Sequence, residues 1–152
     1  MANRQTYLSI WIHLVWATKH RQPFIKKEWK WDLYKHIKQY CAEKGYHLDF
    51  INGIEDHVHL LISPKPQFAI SDIVRNIKVD SWYWIKEQGL SGDDFGWQDG
   101  YAALTVSPSH VKRVRNYIRN QEQHHAKQSF EEELKTWEIQ VEDFLKEDNA
   151  AD

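Results

Sequence analysis

Apolar and polar residues alternate along four stretches of the chain. In residues 7–17 alternate side chains point to opposite faces, and those on one face are all apolar, which predicts a β-strand. Residues 46–54 and 57–63 are two shorter runs separated by turn residues, and they predict a β-hairpin. Residues 101–106 form the fourth predicted strand.

Other stretches have the three-to-four-residue spacing of amphipathic helices. The predicted helices are residues 26–44 ending before Gly45, residues 71 or 72 to 88 capped by Ser71 or Asp72, a helix after Pro108-Ser109 with Val111, Val114 and Ile118 buried, and residues 130–146. The resulting order is β-α-β-β-α-β followed by two helices. This order predicts an α+β, ferredoxin-like sandwich with an antiparallel sheet, as in RNA-recognition domains, plus C-terminal helices.

Composition limits the class of protein. A chain of 152 residues is long enough for one core and too short for two ordinary domains. The single cysteine, Cys41, excludes an internal disulfide framework and a cysteine-based zinc cluster. No run is as long as a membrane span, and the first residues lack a signal-peptide pattern. We therefore expect a soluble, cytoplasmic protein with no organic cofactor.

Charge is distributed unevenly along the sequence. The chain has a net charge of −2, but residues 131–152 carry nine acidic and two basic side chains. The remainder is therefore basic, at +5, which is compatible with binding to a phosphate backbone. The pattern assigns no role to the acidic stretch.

The segment Asp56-His57-Val58-His59 contains the first candidate chemistry. Strand alternation places His57 and His59 on one face and Val58 on the core face. Two neighbouring imidazoles form half of a metal site. The alternative is that both are polar residues on an open sheet face.

The second candidate lies in the helix after Pro108. Tyr117 and Gln121 are four residues apart, so a continuous helix puts them on neighbouring turns of one face. Taken alone, a helical tyrosine is usually a packing residue, and the cations around it are usually a solvated face.

Together these segments resemble a known family, the HUH single-tyrosine transposases of the smallest insertion sequences and the related palindrome-associated proteins. The resemblance covers most of the chain. It is carried by five blocks in order, which are Ile12-His13-Leu14-Val15-Trp16-Ala17-Thr18-Lys19-His20-Arg21, Asp56-His57-Val58-His59-Leu60-Leu61, Ile70-Ser71-Asp72-Ile73-Val74-Arg75-Asn76-Ile77-Lys78, Trp97-Gln98-Asp99-Gly100-Tyr101 and Tyr117-Ile118-Arg119-Asn120-Gln121.

The resemblance implies a metal-dependent DNA strand transferase. Tyr117 matches the nucleophile, and His57, His59 and Gln121 match the metal ligands. The implied metal is Mg²⁺ or Mn²⁺, although imidazole ligands alone would also suit zinc. The implied reaction is transesterification of single-stranded DNA through a 5′-phosphotyrosine at hairpin-marked ends. The implied assembly is a homodimer, with the tyrosine helix acting in its own subunit or in its partner.

The same resemblance guides the remaining assignments. The expected phosphate-binding side chains are Lys19, Arg21, Arg75, Lys78, Lys112, Arg113 and Arg115. The ferredoxin-like order makes the first and third strands neighbours, which would also bring Trp11 and His13 beside the histidine pair. We expect one domain, with a ferredoxin-like core in residues 1–107, the tyrosine helix in 108–128, and an acidic helix and tail in 129–152.

Three alternatives remain open on the sequence. The chain could be a domesticated, repeat-associated nickase with the same chemistry. It could instead be a non-catalytic module that binds single-stranded nucleic acid, because RNA-recognition domains have the same element order. It could also be a metal-dependent phosphodiesterase in which water attacks.

Overall fold

The structure is a computed structural model that describes residues 5–137, 139 and 144. Four strands and five α-helices lie in this part of the chain, together with short 3-10 turns. In chain order they are β1 (Ile12–Ala17), α1 (Lys30–Lys44), β2 (Leu48–Ile54), β3 (His57–Ile62), α2 (Ile70–Gln88), β4 (Ala102–Thr105), α3 (Val111–Arg119), α4 (Gln121–His125) and α5 (Phe130–Thr136).

The four strands form one antiparallel sheet in the order β2-β3-β1-β4. β1 and β3 are the central neighbours, and Leu14 lies opposite Leu60 in their register. The central pairing of the first and third strands is the arrangement expected of the β-α-β-β-α-β order. The predicted α+β fold is therefore confirmed.

Both faces of the sheet are covered. On one face Leu14, Trp16 and Leu60 join the main core, to which α1 and α2 contribute their apolar sides. On the other face Leu61 packs in a cluster with α3 residues, and Val15 packs in a second cluster with residues of α5. Every residue of β1 and β3 is consequently buried, which is unusual for an antiparallel sheet and leaves no open face on these two central strands.

The first strand is shorter than its alternation predicts. β1 begins at Ile12, although the pattern starts at Tyr7. Ile12 pairs with Ile62 and Thr105, which are the last residues of β3 and β4. Residues 7–11 therefore extend beyond the sheet, and Tyr7 and Leu8 are exposed.

Helix ends differ from the prediction mainly at the N-termini. α1 begins at Lys30 rather than at residue 26, and α2 begins at Ile70. Ala69 is the N-cap of α2, so the predicted cap at residue 71 or 72 is wrong. Gly45 does end α1 in the left-handed conformation, at φ 80°. α5 ends at Thr136, and most of the predicted continuation to residue 146 lies outside the described residues. No helix in the described part of the chain is long and apolar enough to cross a bilayer.

Candidate active site

His57 and His59 lie on the sheet face opposite the main core. β3 alternates as predicted, so Val58 and Leu60 join the main core while the two imidazoles point the other way. Both histidines are fully buried. The interpretation that they sit on an open sheet face is wrong, because α3, α4 and α5 cover them.

The helix that carries the tyrosine is interrupted. α3 ends at Arg119, Asn120 has non-helical backbone angles, and α4 begins at Gln121. The buried Asn52 of β2 caps this break, since its Nδ2 donates to the carbonyl oxygens of Ile118 and Arg119 at 3.1 Å each. The expected continuous helix is thus divided where β2 supplies the hydrogen bonds.

Tyr117 and Gln121 reach the histidine pair despite this interruption. Gln121 is fully buried, and its Oε1 lies 3.2 Å from His57 Nε2. The ring centroids of Tyr117 and His59 are 6.1 Å apart. The structure therefore brings together the four residues to which the sequence resemblance assigns the reaction.

Glu133 of α5 lies at the centre of this group, and its side chain is fully buried. Its Oε1 is 3.0 Å from each of three imidazole Nε2 atoms, and its Oε2 accepts from an amide at 2.9 Å and from a phenol hydroxyl. An ionised carboxylate can only accept, so every partner is a donor. The donors to Oε1 are His57, His59 and His125, and the donors to Oε2 are Gln121 and Tyr117.

Glu133 and His125 are site residues that the sequence analysis missed. His125 follows Tyr117 and Gln121 at the same four-residue spacing, and this stripe is the signal that points to it. Glu133 belongs to a run of acids that is typical of a solvated surface. The neighbouring apolar residues Phe130 and Leu134, four positions apart, indicate that this segment folds against the core.

Aromatic and aliphatic contacts hold α5 over the site. The ring of Phe130 stacks on the imidazole of His57 with centroids 4.0 Å apart and an interplanar angle of 15°. Leu134 is buried in one cluster with Val15 and Ala17 of β1. The position of Glu133 is therefore fixed by packing on both sides of it.

Each strand histidine has a second partner on its other ring nitrogen. His57 Nδ1 donates to Asp56 Oδ1 at 2.7 Å, and His59 Nδ1 lies 2.8 Å from His13 Nε2. Such outer contacts fix the orientation of imidazoles that bind metals. The expected place of His13 beside the pair is thus observed, whereas Trp11 lies against the ring of His47.

Burial and hydrogen bonds determine the protonation of the cluster. Burial opposes ionisation of Glu133, but hydrogen bonds from His125, His57 and His59 outweigh it and hold the pKa of the carboxyl well below its usual range. Burial also disfavours a charged His57, yet its contacts with Asp56 and Glu133 raise its pKa to about 9. The pKa of His59 is lowered by burial. At neutral pH, Glu133 is therefore a carboxylate that faces a charged His57 and a neutral His59.

The phenol of Tyr117 keeps its proton in this arrangement. Burial raises the pKa of Tyr117 well above the usual value, and the hydrogen bond to Glu133 raises it further. The ring is also stacked on His124 at a centroid distance of 4.3 Å. Tyr117 is thus a neutral, oriented phenol and not a free surface side chain.

The same group of side chains has the chemistry of a cation site. One nitrogen each from His57 and His125 and one oxygen from Glu133 lie within 4.8 Å of one another. His59 Nε2 and the amide of Gln121 contact the same carboxylate. Imidazole nitrogens with carboxylate and amide oxygens are ligands for divalent metals, so these residues fit such an ion.

The predicted phosphate-binding residues fall on two sides of the molecule. Lys19, Arg75 and Lys78 line one cavity of about 870 Å³ beside α2. Lys112 and Arg113 are exposed on α3, which packs on the opposite face of the sheet.

Four of these cations already have protein partners, and the first is Arg75, which pairs with Asp72 of the same helix at 3.0 Å. Lys78 Nζ donates to the carbonyl oxygens of Gln98 and Gly100 at 2.6 and 2.7 Å. Arg115 makes a bidentate ion pair with Asp49 at 2.6 and 2.9 Å. Arg21 pairs with Glu131 of α5 at 3.0 Å.

The sequence is similar to those of known transposases. Residues 6–121 match the family model described as Transposase IS200 like. The ISDra2 transposase TnpA of Deinococcus radiodurans is 31% identical over 116 residues, which span 72% of this chain and 81% of that protein.

Solved structures give the same result for the fold. A crystal structure assigned to a transposase of Deinococcus radiodurans R1 superposes with a TM-score of 0.62 at 28% identity, covering 80% of this chain and 97% of the other. A REP-associated tyrosine transposase bound to a REP hairpin superposes with a TM-score of 0.59 at 15% identity, covering 82% and 74%. On the match of residues 6–121 and the 31% identity to TnpA, this chain belongs to the IS200-like, single-tyrosine transposase family.

Proposed function

We propose that this transposase cleaves and rejoins single-stranded DNA through Tyr117. The phenol oxygen attacks a phosphodiester, the 3′-oxygen leaves and takes up a proton, and the 5′-phosphate stays on the tyrosine. A free 3′-hydroxyl then attacks the phosphotyrosine, forms a new DNA phosphodiester and restores the phenol. Because one ester replaces another in each step, rejoining needs no ATP.

The convergence of four side chains on one point is the observation that supports this proposal. The Tyr117 hydroxyl, His57 Nε2, His59 Nε2 and Gln121 Nε2 all contact the Glu133 carboxylate. A nucleophile and three candidate metal ligands therefore lie within about two hydrogen-bond lengths of one another. Side chains that only fill the space between a helix and a strand are not expected to converge on one buried charge.

In this proposal His57, His59 and Gln121 hold a divalent cation, Mg²⁺ or Mn²⁺. The cation would offset the negative charge of the scissile phosphate and polarise it toward attack. Asp56 and His13 orient the two imidazoles through their Nδ1 atoms. The stacked ring of Phe130 shields His57 from solvent.

The substrate in this proposal is single-stranded DNA that carries a hairpin near the cleavage site. The structural relative that is bound to a REP hairpin supports this choice of ligand. The exposed cations Lys112 and Arg113 beside Tyr117, and Lys19 and Arg75 at the α2 cavity, are suited to phosphate groups.

The proposal includes a homodimer of single-domain subunits. Its parts are the ferredoxin-like core of residues 1–107, the tyrosine segment of residues 108–128 and the acidic segment from residue 129 onward. Through Glu133, the acidic segment contributes a side chain to the proposed site.

A covalent-adduct assay tests the proposal. Wild-type protein incubated with labelled, hairpin-bearing single strands and Mn²⁺ is expected to give a protein–DNA adduct on a denaturing gel. Tyr117→Phe removes only the phenol oxygen, so we expect both adduct and cleavage to be lost, with a fall in rate of at least about a thousandfold. Tyr7→Phe is the matched control, because Tyr7 is exposed, and should behave as wild type.

The alternatives predict different results in the same assay. A phosphodiesterase that uses water retains cleavage in Tyr117→Phe, and a non-catalytic module gives no cleavage with either protein. A domesticated nickase gives the adduct but no joined product when a second strand with a free 3′-hydroxyl is supplied.

A further inference from the structure

We propose that Glu133 and His125 are themselves metal ligands, so that the ion is bound by side chains from β3, α4 and α5. This inference rests on the proposed function, which places a divalent cation at His57, His59 and Gln121. It adds a carboxylate and a third imidazole, neither of which the family resemblance supplied.

Three imidazoles converge on one point of the site. Nε2 of His57, His59 and His125 lies 3.0 Å from the same atom, Glu133 Oε1. Three ring nitrogens directed at one oxygen mark a point at which several ligands can bind a single ion. His125 therefore has the same relation to that point as the two strand histidines.

The Glu133 carboxylate lies between the imidazoles and the nucleophile. Glu133 Oε1 faces the imidazoles, and Oε2 faces Gln121 and Tyr117. Among the carboxylates of the described residues, only Glu133 has an oxygen within hydrogen-bond distance of these Nε2 atoms. Its two oxygens thus connect the metal-binding side of the cluster to the nucleophile.

Contacts of α5 hold Glu133 at this position. Ser129 caps the helix by accepting from the Glu132 backbone N–H at 3.2 Å, and Phe130 and Leu134 are buried on either side of Glu133. A buried carboxylate costs free energy unless it is paired. The fold thus keeps a buried charge inside an imidazole cluster, as a ligand requires.

The added ligands also bear on the choice of metal. Imidazole nitrogens alone suit zinc, whereas carboxylate and amide oxygens suit Mg²⁺ and Mn²⁺. With Glu133 included, the donor set combines nitrogen and anionic oxygen, which suits Mn²⁺ well. We therefore use Mn²⁺ as the probe.

Isothermal titration of the full chain with Mn²⁺, in the absence of DNA, tests this inference. We expect Glu133→Gln and His125→Asn each to weaken Mn²⁺ binding by at least about tenfold, since the first removes the negative charge of a ligand and the second removes an imidazole nitrogen, while both keep a side chain of similar shape. The matched controls Glu132→Gln and His110→Asn change exposed residues outside the site and should bind as wild type. The Mn²⁺ EPR spectrum, which reports the coordination of the ion, should change only in the first two variants.

Unchanged or tighter binding by Glu133→Gln overturns the inference, because a carboxylate that merely fills the site competes with the ion. Absence of Mn²⁺ binding by wild type overturns it as well. Circular dichroism shows whether each variant folds. If Glu133→Gln does not fold, Glu133→Asp retains the charge but retracts the carboxylate, and weaker Mn²⁺ binding is still expected.

This test separates the inference from the proposed function. Tyr117→Phe retains every metal ligand and should bind Mn²⁺ as wild type does. If wild type forms the DNA adduct while Glu133→Gln binds Mn²⁺ normally, the inference fails and the proposed function stands. If Mn²⁺ binding depends on Glu133 but no adduct forms, the proposed function fails.

Discussion

Asn52 connects the strand beside the histidine pair to the end of the tyrosine helix. Its Nδ2 donates to the carbonyls of Ile118 and Arg119, and its Oδ1 accepts from the Gly53 N–H at 2.8 Å. These carbonyls belong to the last turn of α3, where intrahelical partners are missing. The Asn52 amide thus fixes the distance between Tyr117 and the sheet.

Replacing Asn52 by Ala should weaken both stability and activity. The buried Ile118 carbonyl and the partly buried Arg119 carbonyl lose their donor, so the free energy of unfolding should fall by about 1–3 kcal/mol in a urea titration. Adduct formation should fall further, because α3 is no longer held at its end. Asn76→Ala is the control, since Asn76 donates to the Tyr46 hydroxyl away from the site. Equal adduct rates in the two variants would contradict this role.

Gly53 is the second residue on which the local geometry depends. A Cβ at this position would lie 2.2 Å from the His57 carbonyl oxygen and 2.9 Å from Val58 Cα, both backbone atoms. Gly53→Ala should therefore push β2 away from β3 and lower the free energy of unfolding by about 2–3 kcal/mol. Gly92→Ala, where a Cβ meets nothing within 4 Å, should change it by less than about 0.5 kcal/mol. Similar urea midpoints for the two variants would refute the steric argument.

At the scale of elements, the sequence predicts the sheet better than the site. The alternation of β3 fixes which face carries His57 and His59, because successive strand residues point to opposite sides. The break at Asn120 depends on a side chain from β2, and the position of Glu133 depends on how α5 packs over the sheet. Both features depend on contacts between residues that are far apart in the sequence, and local spacing and charge patterns do not reveal such contacts.

α3 presents two kinds of cation, and they should respond differently to substitution. Arg115 is paired with Asp49, whereas Lys112 is exposed. Lys112→Gln should weaken binding to a labelled hairpin and reduce the slope of log affinity against log salt by about 0.7–0.9, the loss expected for one phosphate contact. Arg115→Gln should mainly lower the free energy of unfolding, by about 0.5–1 kcal/mol.

Fluorescence anisotropy over a range of salt concentrations distinguishes these two cases. A larger change in salt slope for Arg115→Gln than for Lys112→Gln would show that Arg115 leaves Asp49 to contact DNA.

At the scale of the whole molecule, one chain contains a complete candidate site. β3, α3, α4 and α5 of the same chain supply all the side chains that meet at Glu133. Arg115 and Asn52 hold α3 against β2 of its own subunit. For the proposed homodimer, these contacts within one chain lead to the prediction that each site is assembled from the side chains of a single subunit.

Mixing two inactive variants tests this assembly. Tyr117→Phe and His57→Ala, each inactive alone, should stay inactive after they are mixed and allowed to exchange subunits. A site shared between subunits would instead recover part of the wild-type adduct, because one interface in the mixed dimer would combine an intact tyrosine with an intact histidine pair.

In the proposed reaction, the Tyr117 phenol oxygen becomes bonded to the 5′-phosphate of DNA. Mass spectrometry of the adduct, after nuclease and protease digestion, locates the modified residue directly. We expect the added mass of a nucleoside monophosphate on the peptide that contains Tyr117, formed only with a divalent cation. The same mass on another residue, or cleaved DNA with no modified peptide, would contradict it.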